Sequence, residues 1–233
     1  MSELVATVFV PGLLATPRMY ADQAAQLWSF GPVTVANHTC DDNIPAIARR
    51  ILASSPPRFA LVGLSMGGYI SMEILRQAPD RVLKVALLDT SARPDAPEQG
   101  EGRRALLAMT RDGRFAEIAD KLFPILVDPS RRKDAALLQL VKDMAQQVGP
   151  DAFIRQQTAI MGRPDSRPGL GAIRCPALVL VGENDALTPP DRAAEIAAGI
   201  PGSRLVKIPG CGHLSTMEKP AEVSRALVEF LRS

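Results

Sequence analysis

The sequence contains few cysteines, few aromatic residues and no excess of charge of either sign. Its 233 residues include 3 cysteines, 1 tryptophan and 2 tyrosines, and the formal net charge is +2. Cys40, Cys175 and Cys211 form no C-x-x-C pair, which argues against a zinc site or a dithiol redox motif and favours reduced thiols. Because charges of both signs are mixed, we expect no nucleic-acid partner. The scarcity of tryptophan and tyrosine disfavours an aromatic platform for carbohydrate.

Long apolar runs and a clear secretion signal are also missing. No run reaches the roughly 18 apolar residues that a membrane span requires, so we expect no membrane partner. The first segment, MSELVATVFVPGLLA, has no lysine or arginine before its apolar run, and Pro11-Gly12 interrupts that run. We therefore predict a cytoplasmic protein.

Short apolar runs alternate with helical patterns along most of the chain. Most of the runs are continuously apolar, as expected for strands that are covered on both faces. We predict strands at 5–10, 33–36, 59–64, 82–88, 177–182 and 204–208, with helices near 43–53, 67–78, 190–199 and 219–232. This alternation predicts an α/β fold with a six-stranded, mostly parallel sheet flanked by helices.

Residues 93–172 interrupt this alternation. Prolines and glycines flank the segment, and apolar residues repeat inside it at helical spacing, but no strand is indicated. We interpret it as a helical insert between two parts of one core, 1–92 and 173–233. Five basic residues of the insert are expected to be solvated charges on helix faces or loops: Arg103, Arg104, Arg131, Arg132 and Lys133. They could also recognise an acidic substrate tail, but no sequence feature places them at the pocket mouth.

The segment GLSMG, residues 63–67, fits the pattern G-x-S-x-G and joins a predicted strand to a predicted helix. A nucleophilic serine at such a sharp turn has a strained backbone, so only small residues fit two positions to either side. We predict that Ser65 is a nucleophile.

A serine hydroxyl needs a base, and the base needs an orienting carboxylate. The chain has two histidines, His38 and His213, of which His213 lies in a glycine-rich loop after the last predicted strand. Asp89 and Asp185 each follow a strand end, so either carboxylate could orient the base. The chain order Ser65, Asp185, His213 is that of a known hydrolase triad.

Taken together, the segments GLSMGG, GENDALTPP and CGHLSTMEKP resemble the nucleophile turn, acid loop and histidine loop of the α/β-hydrolase fold family. The resemblance covers essentially the whole chain and implies that residues 93–172 are the family's helical cap. It favours Asp185 over Asp89 as the acid. The first predicted strand comes so early that we expect a trimmed sheet without the two leading strands of many relatives.

The same resemblance implies an oxyanion hole. The backbone N–H groups of Leu13 and Met66 match the two donors, with Leu14 as a less favoured substitute. Pro11-Gly12 stands where the family often has His-Gly, but the chemistry uses a backbone N–H there and does not require that histidine. For the substrate pocket we predict six side chains: Leu14, His38, Phe123, Met161, Leu187 and Leu214.

These residues predict a carboxylesterase-type serine hydrolase acting on small-molecule esters with small to medium, largely apolar acyl groups. Two alternatives stay open. One is another reaction of the same triad, namely enol-lactone or C–C bond hydrolysis, cleavage of carrier-bound acyl methyl esters, or perhydrolysis. The other is a ligand-binding receptor on the same fold. We expect no cofactor and no metal, because the cluster around His38 and Cys40 has no second group at metal-ligand spacing.

Overall fold

The protein is described here by a computed structural model that covers residues 5–233. The first four residues of the segment considered as a secretion signal therefore lie outside the described residues. Six strands form one sheet: β1 (Thr7–Val10), β2 (Val33–Val35), β3 (Phe59–Leu64), β4 (Val82–Leu88), β5 (Ala177–Gly182) and β6 (Arg204–Ile208). Their spatial order is β2-β1-β3-β4-β5-β6, and every neighbouring pair is parallel. The predicted α/β class and six-stranded parallel sheet are confirmed.

Helices cover both faces of the sheet because strand side chains alternate between two apolar clusters. Val8 and Val10 pack on one face against apolar side chains of residues 44–52 and 66–75, whereas Phe9 lies on the other face with Leu27 and Leu227. The core helices are α1 (Ala21–Leu27), α2 (Ile44–Ser54), α3 (Met66–Gln77), α8 (Pro190–Gly199), α9 (Ser215–Glu218) and α10 (Pro220–Arg232). Among residues 5–233, none of the helices is both long and apolar enough to cross a membrane.

Between β4 and β5 the chain forms four further helices. They are α4 (Pro97–Arg111), α5 (Ile118–Leu126), α6 (Ala135–Val148) and α7 (Pro150–Met161). We call residues 93–172 the helical insert; its limits as a separate unit stay a prediction. Its helices pack against one another: α5 packs on α4 and α6, and α7 packs on α4 and α6.

The strand register brings the carboxyl ends of the central strands to one edge of the sheet. Leu64 pairs with Leu88, and Gly182 pairs with Ile208. Ser65 and Asp89 therefore follow adjacent strands at the same level. Sites in parallel sheets form at this edge, because the loops that leave the strands can converge there.

Candidate active site

Ser65 sits at a sharp turn between β3 and α3. Its backbone angles are φ 56° and ψ −114°, a region that non-glycine residues rarely adopt. The Ser65 N–H donates to the Leu88 carbonyl at 2.9 Å, and the Ser65 carbonyl accepts from the Thr90 hydroxyl at 2.8 Å. These bonds to the adjacent strand end hold the strained turn and present the Ser65 side chain at the N-terminus of α3, where the helix dipole favours negative charge.

The two motif glycines are required by close backbone contacts around this turn. A Cβ atom on Gly63 would collide with the carbonyl of Gly67, and a Cβ atom on Gly67 would collide with the carbonyl of Val10. Any larger residue would push α3 away from the sheet. The steric reason predicted for the glycines thus holds in the structure.

His213 is buried and makes its hydrogen bond to Asp185. The distance from His213 Nδ1 to Asp185 Oδ2 is 2.8 Å, and both residues are only 2% exposed. The backbone N–H of His213 donates to the Leu126 carbonyl at 3.0 Å. The histidine loop is therefore anchored on the end of helix α5, in the insert.

Asp185 is fixed by its own loop. Its Oδ1 accepts from the N–H groups of Leu187 and Thr188, both at 2.8 Å, and its Oδ2 accepts from the Thr188 hydroxyl at 2.7 Å. The same hydroxyl lies 3.2 Å from His213 Nδ1. An orienting carboxylate with this many donors stays ionised and holds the imidazole in one position.

Asp89, the alternative acid, faces other partners. Its Oδ1 accepts from the Gly182 N–H at 2.8 Å, and its Oδ2 accepts from the Ser215 hydroxyl. It is fully buried, with φ 44°. These hydrogen bonds connect the end of β4 to β5 and to α9. Asp89 therefore stabilises the packing of α9, which follows the histidine loop, against the sheet.

The pKa values of Asp89 and Asp185 are shifted in opposite directions. Burial, reinforced by the negative charge of Asp185, raises the pKa of Asp89 to about 8. Burial would also raise the pKa of Asp185, but the charge and hydrogen bond of His213 and the Thr188 donors lower it below its ordinary value. For His213, burial favours the neutral imidazole, yet the charge and hydrogen bond of Asp185 outweigh burial and raise its pKa.

The loop after β1 carries the first expected oxyanion donor. Leu14 has φ 58°, and its N–H donates to Oε1 of Gln156 at 3.2 Å. Among residues 5–233, no acceptor is found for the N–H of Leu13 or of Met66. These are the two groups expected to hold an oxyanion, whereas the Leu14 N–H is already engaged.

His38 supports this loop and does not reach the cavity. Its Nε2 lies 2.9 Å from the Gly12 carbonyl and 2.9 Å from Nε2 of Gln156. Burial lowers the pKa of His38 to about 4, so the ring is neutral at pH 7. His38 was predicted as a pocket residue, but its ring is buried behind the loop that it holds and does not line the cavity.

Ser65 and His213 both line a cavity of about 340 Å³, within the usual size of small-molecule sites. Three of the residues predicted for the pocket, Leu14, Leu187 and Leu214, line this cavity. Most of the remaining wall is apolar and comes from the insert: Leu106, Ala119, Leu122, Ile125, Leu126, Val141, Met144 and Ile160.

Two other pocket predictions are wrong. Phe123 is 2% exposed and packs into the core of the insert, because its neighbours Leu122 and Ile125 occupy the cavity face of α5. Met161 is the last residue of α7 and does not line the cavity, whereas the preceding residue, Ile160, does. Helical periodicity indicated a buried face but could not distinguish cavity wall from core.

Sequence reasoning missed several supports of the site. Thr188, which orders Asp185, gives only the weak signal of a threonine three residues after an aspartate. The carboxylate of Glu218 accepts from the N–H groups of Asp128, Gly212 and Leu214 at 2.7, 3.0 and 3.2 Å. It thereby shapes the histidine loop. Gln156 gave no signal at all.

This parallel sheet, with a serine at a strained strand-to-helix turn and a His–Asp pair on the wall of the same cavity, defines an α/β-hydrolase type of protein. A sequence model of the family described as alpha/beta hydrolase fold matches residues 22–220. The chain belongs to that family.

Similar proteins include hydrolases with different substrates. A thermophilic esterase from Thermogutta terrifontis, solved with malate bound, superposes with a TM-score of 0.88 at 31% identity, covering 98% of this chain and 89% of the esterase. The pimeloyl-[acyl-carrier protein] methyl ester esterase of Nitrosomonas europaea is 26% identical over 187 residues, 78% of this chain and 74% of that protein. A 2-hydroxy-6-oxononadienedioate/2-hydroxy-6-oxononatrienedioate hydrolase from Burkholderia vietnamiensis is 28% identical over 180 residues, 75% of this chain and 62% of that protein.

Proposed function

We propose that the protein is a serine hydrolase that cleaves carboxylic esters of small to medium, largely apolar acyl groups through an acyl-enzyme. The observation that carries this proposal is the placement of Ser65 and the Asp185-bonded His213 on the wall of one cavity. Ser65 supplies the nucleophile, His213 the base and Asp185 the orienting charge. The mainly apolar wall suits an apolar acyl group, since burial of its methylene groups favours binding.

In the acylation step, Ser65 Oγ attacks the ester carbonyl while Nε2 of His213 takes the hydroxyl proton. The tetrahedral oxyanion accepts hydrogen bonds from the N–H groups of Leu13 and Met66, each commonly worth about 3–4 kcal/mol. His213 then gives its proton to the alkoxide oxygen as the C–O bond breaks, so the alcohol leaves and Ser65 carries the acyl group.

Deacylation repeats these steps with water. His213 takes a proton from a water molecule, whose oxygen attacks the acyl carbonyl. Collapse of the second tetrahedral intermediate breaks the bond to Ser65 Oγ, which recovers the proton from His213 and releases the acid. Asp185 stays ionised throughout and stabilises the imidazolium that forms twice per cycle. These residues complete the cycle without a cofactor or a metal.

Two esterases among the similar proteins favour an ester substrate. The similarity to a 2-hydroxy-6-oxononadienedioate hydrolase at 28% identity favours one alternative. In that alternative the same triad hydrolyses a different bond, such as a C–C bond or the ester bond of an enol-lactone. Carrier-bound acyl methyl esters, perhydrolysis and a receptor role are further alternatives. We also propose a cytoplasmic location, which the free thiols of Cys40, Cys175 and Cys211 favour.

The test is a panel of p-nitrophenyl esters of increasing acyl length, with wild type, Ser65→Ala and Ser29→Ala as an exposed-serine control. Wild type and Ser29→Ala should hydrolyse the short and medium esters, and a fluorophosphonate probe should label Ser65 once per chain. Turnover that persists in Ser65→Ala would refute the serine mechanism. A folded wild type that turns over no ester but binds one of them tightly would favour the receptor.

A further inference from the structure

The part of the cavity wall formed by the helical insert contains one buried donor without a partner. Gln157 on α7 is fully buried and lines the cavity, and its Oε1 accepts from Arg103 Nη1 at 2.9 Å. Its Nε2 has no hydrogen-bond partner among residues 5–233. Because a guanidinium can only donate, the amide oxygen must face Arg103, which leaves the NH₂ group as the free one.

A buried amide N–H without an acceptor is unfavourable, so such groups in folded proteins are normally satisfied by protein, water or ligand. The position of Gln157 on the wall of the cavity that also contains Ser65 makes an oxygen atom of the substrate a suitable partner. The rest of the wall is mainly apolar, so a methylene chain could connect the reacting carbonyl with this oxygen.

The charge behind Gln157 favours an anionic oxygen. Arg103 Nε donates to Asp95 Oδ2 at 2.6 Å, and Arg163 Nη1 donates to Asp95 Oδ1 at 2.7 Å. Arg163 is 5% exposed in its side chain and stacks 4.4 Å from the ring centroid of Tyr69, which lines the cavity. Two guanidinium groups share one carboxylate, so this cluster carries one net positive charge beside the cavity. A positive site of low solvent access attracts a carboxylate more strongly than the same charge in water does.

We propose that Gln157 and the Arg103–Asp95–Arg163 cluster form a specificity subsite for a carboxylate on the substrate. The preferred substrate is then an ester with an acidic group at the far end of an otherwise apolar arm. This inference rests on the proposed ester hydrolysis and narrows its substrate class. Arg103 lines the cavity beside Gln157 and contributes the positive charge that attracts the carboxylate. Gln157, oriented by its bond to Arg103, contributes the free NH₂ group.

The experiment compares pairs of esters that differ only in the terminal group. Monomethyl esters of linear dicarboxylic acids, from malonic to suberic, are measured against methyl alkanoates of equal length. Acetate esters of ω-hydroxy acids are measured against alkyl acetates, so that either arm can contain the carboxylate. The best acidic substrate should have a kcat/KM at least about tenfold above that of its neutral partner, because a site built to bond a polar group rejects the analogue that lacks it.

Two variants assign this preference to Gln157. Gln157→Glu keeps an acceptor for Arg103 but replaces the donor by a negative charge, so the preference for the acidic ester over its neutral partner should disappear or reverse. Gln157→Leu should remove most of the preference. The matched control is Gln146→Glu, the same change at an exposed position of α6, and it should leave the preference intact.

Failure of this inference is distinguishable from failure of the proposed function. If wild type hydrolyses neutral esters equally well, or if Gln157→Glu leaves the ratio unchanged, the subsite is refuted and the hydrolase proposal stands. If no ester is hydrolysed, the test is calorimetric binding of monomethyl adipate and methyl hexanoate to Ser65→Ala. Binding of the acidic ester that is at least tenfold tighter, and that is lost when Gln157→Glu is added, supports the subsite. Equal binding of the two esters overturns it.

Discussion

The sheet core and the helical insert contribute different parts of the site. Ser65, Asp185 and His213 come from loops at one edge of the sheet and are fixed by short hydrogen bonds to neighbouring strands and loops. Most of the cavity wall comes from the insert and consists of side chains held mainly by apolar packing. We infer that the core determines which bond is broken and that the insert determines which molecule is accepted.

The division is not complete, because the insert also holds two loops of the core. Gln156 of α7 accepts from the Leu14 N–H in the loop after β1, and the end of α5 holds the histidine loop. The carbonyl of Leu126, at the end of α5, accepts from the N–H groups of His213 and Leu214 at 3.0 and 3.1 Å. Asp128 adds a second link, since its Oδ2 accepts from Asn184 Nδ2 at 2.7 Å in the acid loop. Substitutions in the insert should therefore change selectivity first, unless they disturb the end of α5 or Gln156.

The largest expected effect comes from removing the nucleophile in the core. Ser65→Ala should lower kcat for any ester by about 10⁴-fold or more, because no other group can form the acyl-enzyme. The measurement is single-turnover and steady-state kinetics on p-nitrophenyl butyrate, with circular dichroism to verify folding. The proposed division of roles between core and insert would be refuted if a wall variant such as Ala119→Leu lost as much activity on the smallest ester as Ser65→Ala does.

The next largest effect should separate the two buried aspartates. Asp185→Asn should lower kcat by about 10³–10⁴-fold, since an amide cannot stabilise the imidazolium and favours the wrong tautomer of His213. Asp89→Asn should cost less than about tenfold, because burial raises the pKa of Asp89 and so favours its neutral form, which an amide resembles. Kinetics of both folded variants on one ester provide the measurement, and the reverse ranking would make Asp89 the acid.

Much of the core could be predicted from the sequence, because its constraints are local. Short runs rich in apolar residues, continuous in β3 and β5, predicted β3 to β6 at their observed bounds. The glycines around Ser65 followed from the sterics of a single turn. The pairing of His213 with Asp185 could be anticipated from chain order in the resembling family, although only the structure gives Asp89 different partners.

The insert was less predictable, because its side chains acquire their roles through packing between helices. Helix α4 was not predicted as a separate element: Gly100 and Gly102 lower its helix propensity, and its charged residues weaken the apolar pattern. Phe123 was assigned to the pocket although it packs in the core of the insert. Arg103 was expected to be solvated, but its side chain is 15% exposed and paired with Asp95. The free NH₂ of Gln157 is visible only once the position of Arg103 is known.

The pH dependence should report the base of the core rather than any group of the insert. The imidazolium of His213 cannot accept the Ser65 proton, so kcat/KM for a neutral ester should fall as pH decreases through the pKa of His213. Because Asp185 raises that pKa, the midpoint should lie above the ordinary value of about 6.5. Asp185→Asn should move the midpoint of the residual activity to lower pH.

The control for this profile is Glu117→Gln, which removes an exposed carboxylate of the insert and should leave the midpoint unchanged. Folding must be monitored at the acidic end, because burial lowers the pKa of His38 to about 4. A histidine with a depressed folded-state pKa destabilises the protein progressively as pH falls from about 6.5 toward 4. If the midpoint of the pH profile did not move in Asp185→Asn, Asp185 would not be the group that raises the pKa of His213.

The smallest effect should arise in the wall of the cavity, where volume and not chemistry changes. Ala119→Leu adds three carbon atoms to a wall residue of α5, whereas Ala136→Leu makes the same change at an exposed position of α6. Ala119→Leu should shift the ratio of kcat/KM for octanoate over acetate esters downward by about tenfold, since a mismatch of this size in an apolar pocket costs about 1–3 kcal/mol. Acetate turnover should stay within about threefold, and Ala136→Leu should change neither value. If both esters lost activity equally in Ala119→Leu, α5 would act mainly by holding the histidine loop, and the assignment of selectivity to the insert would have to be given up at this position.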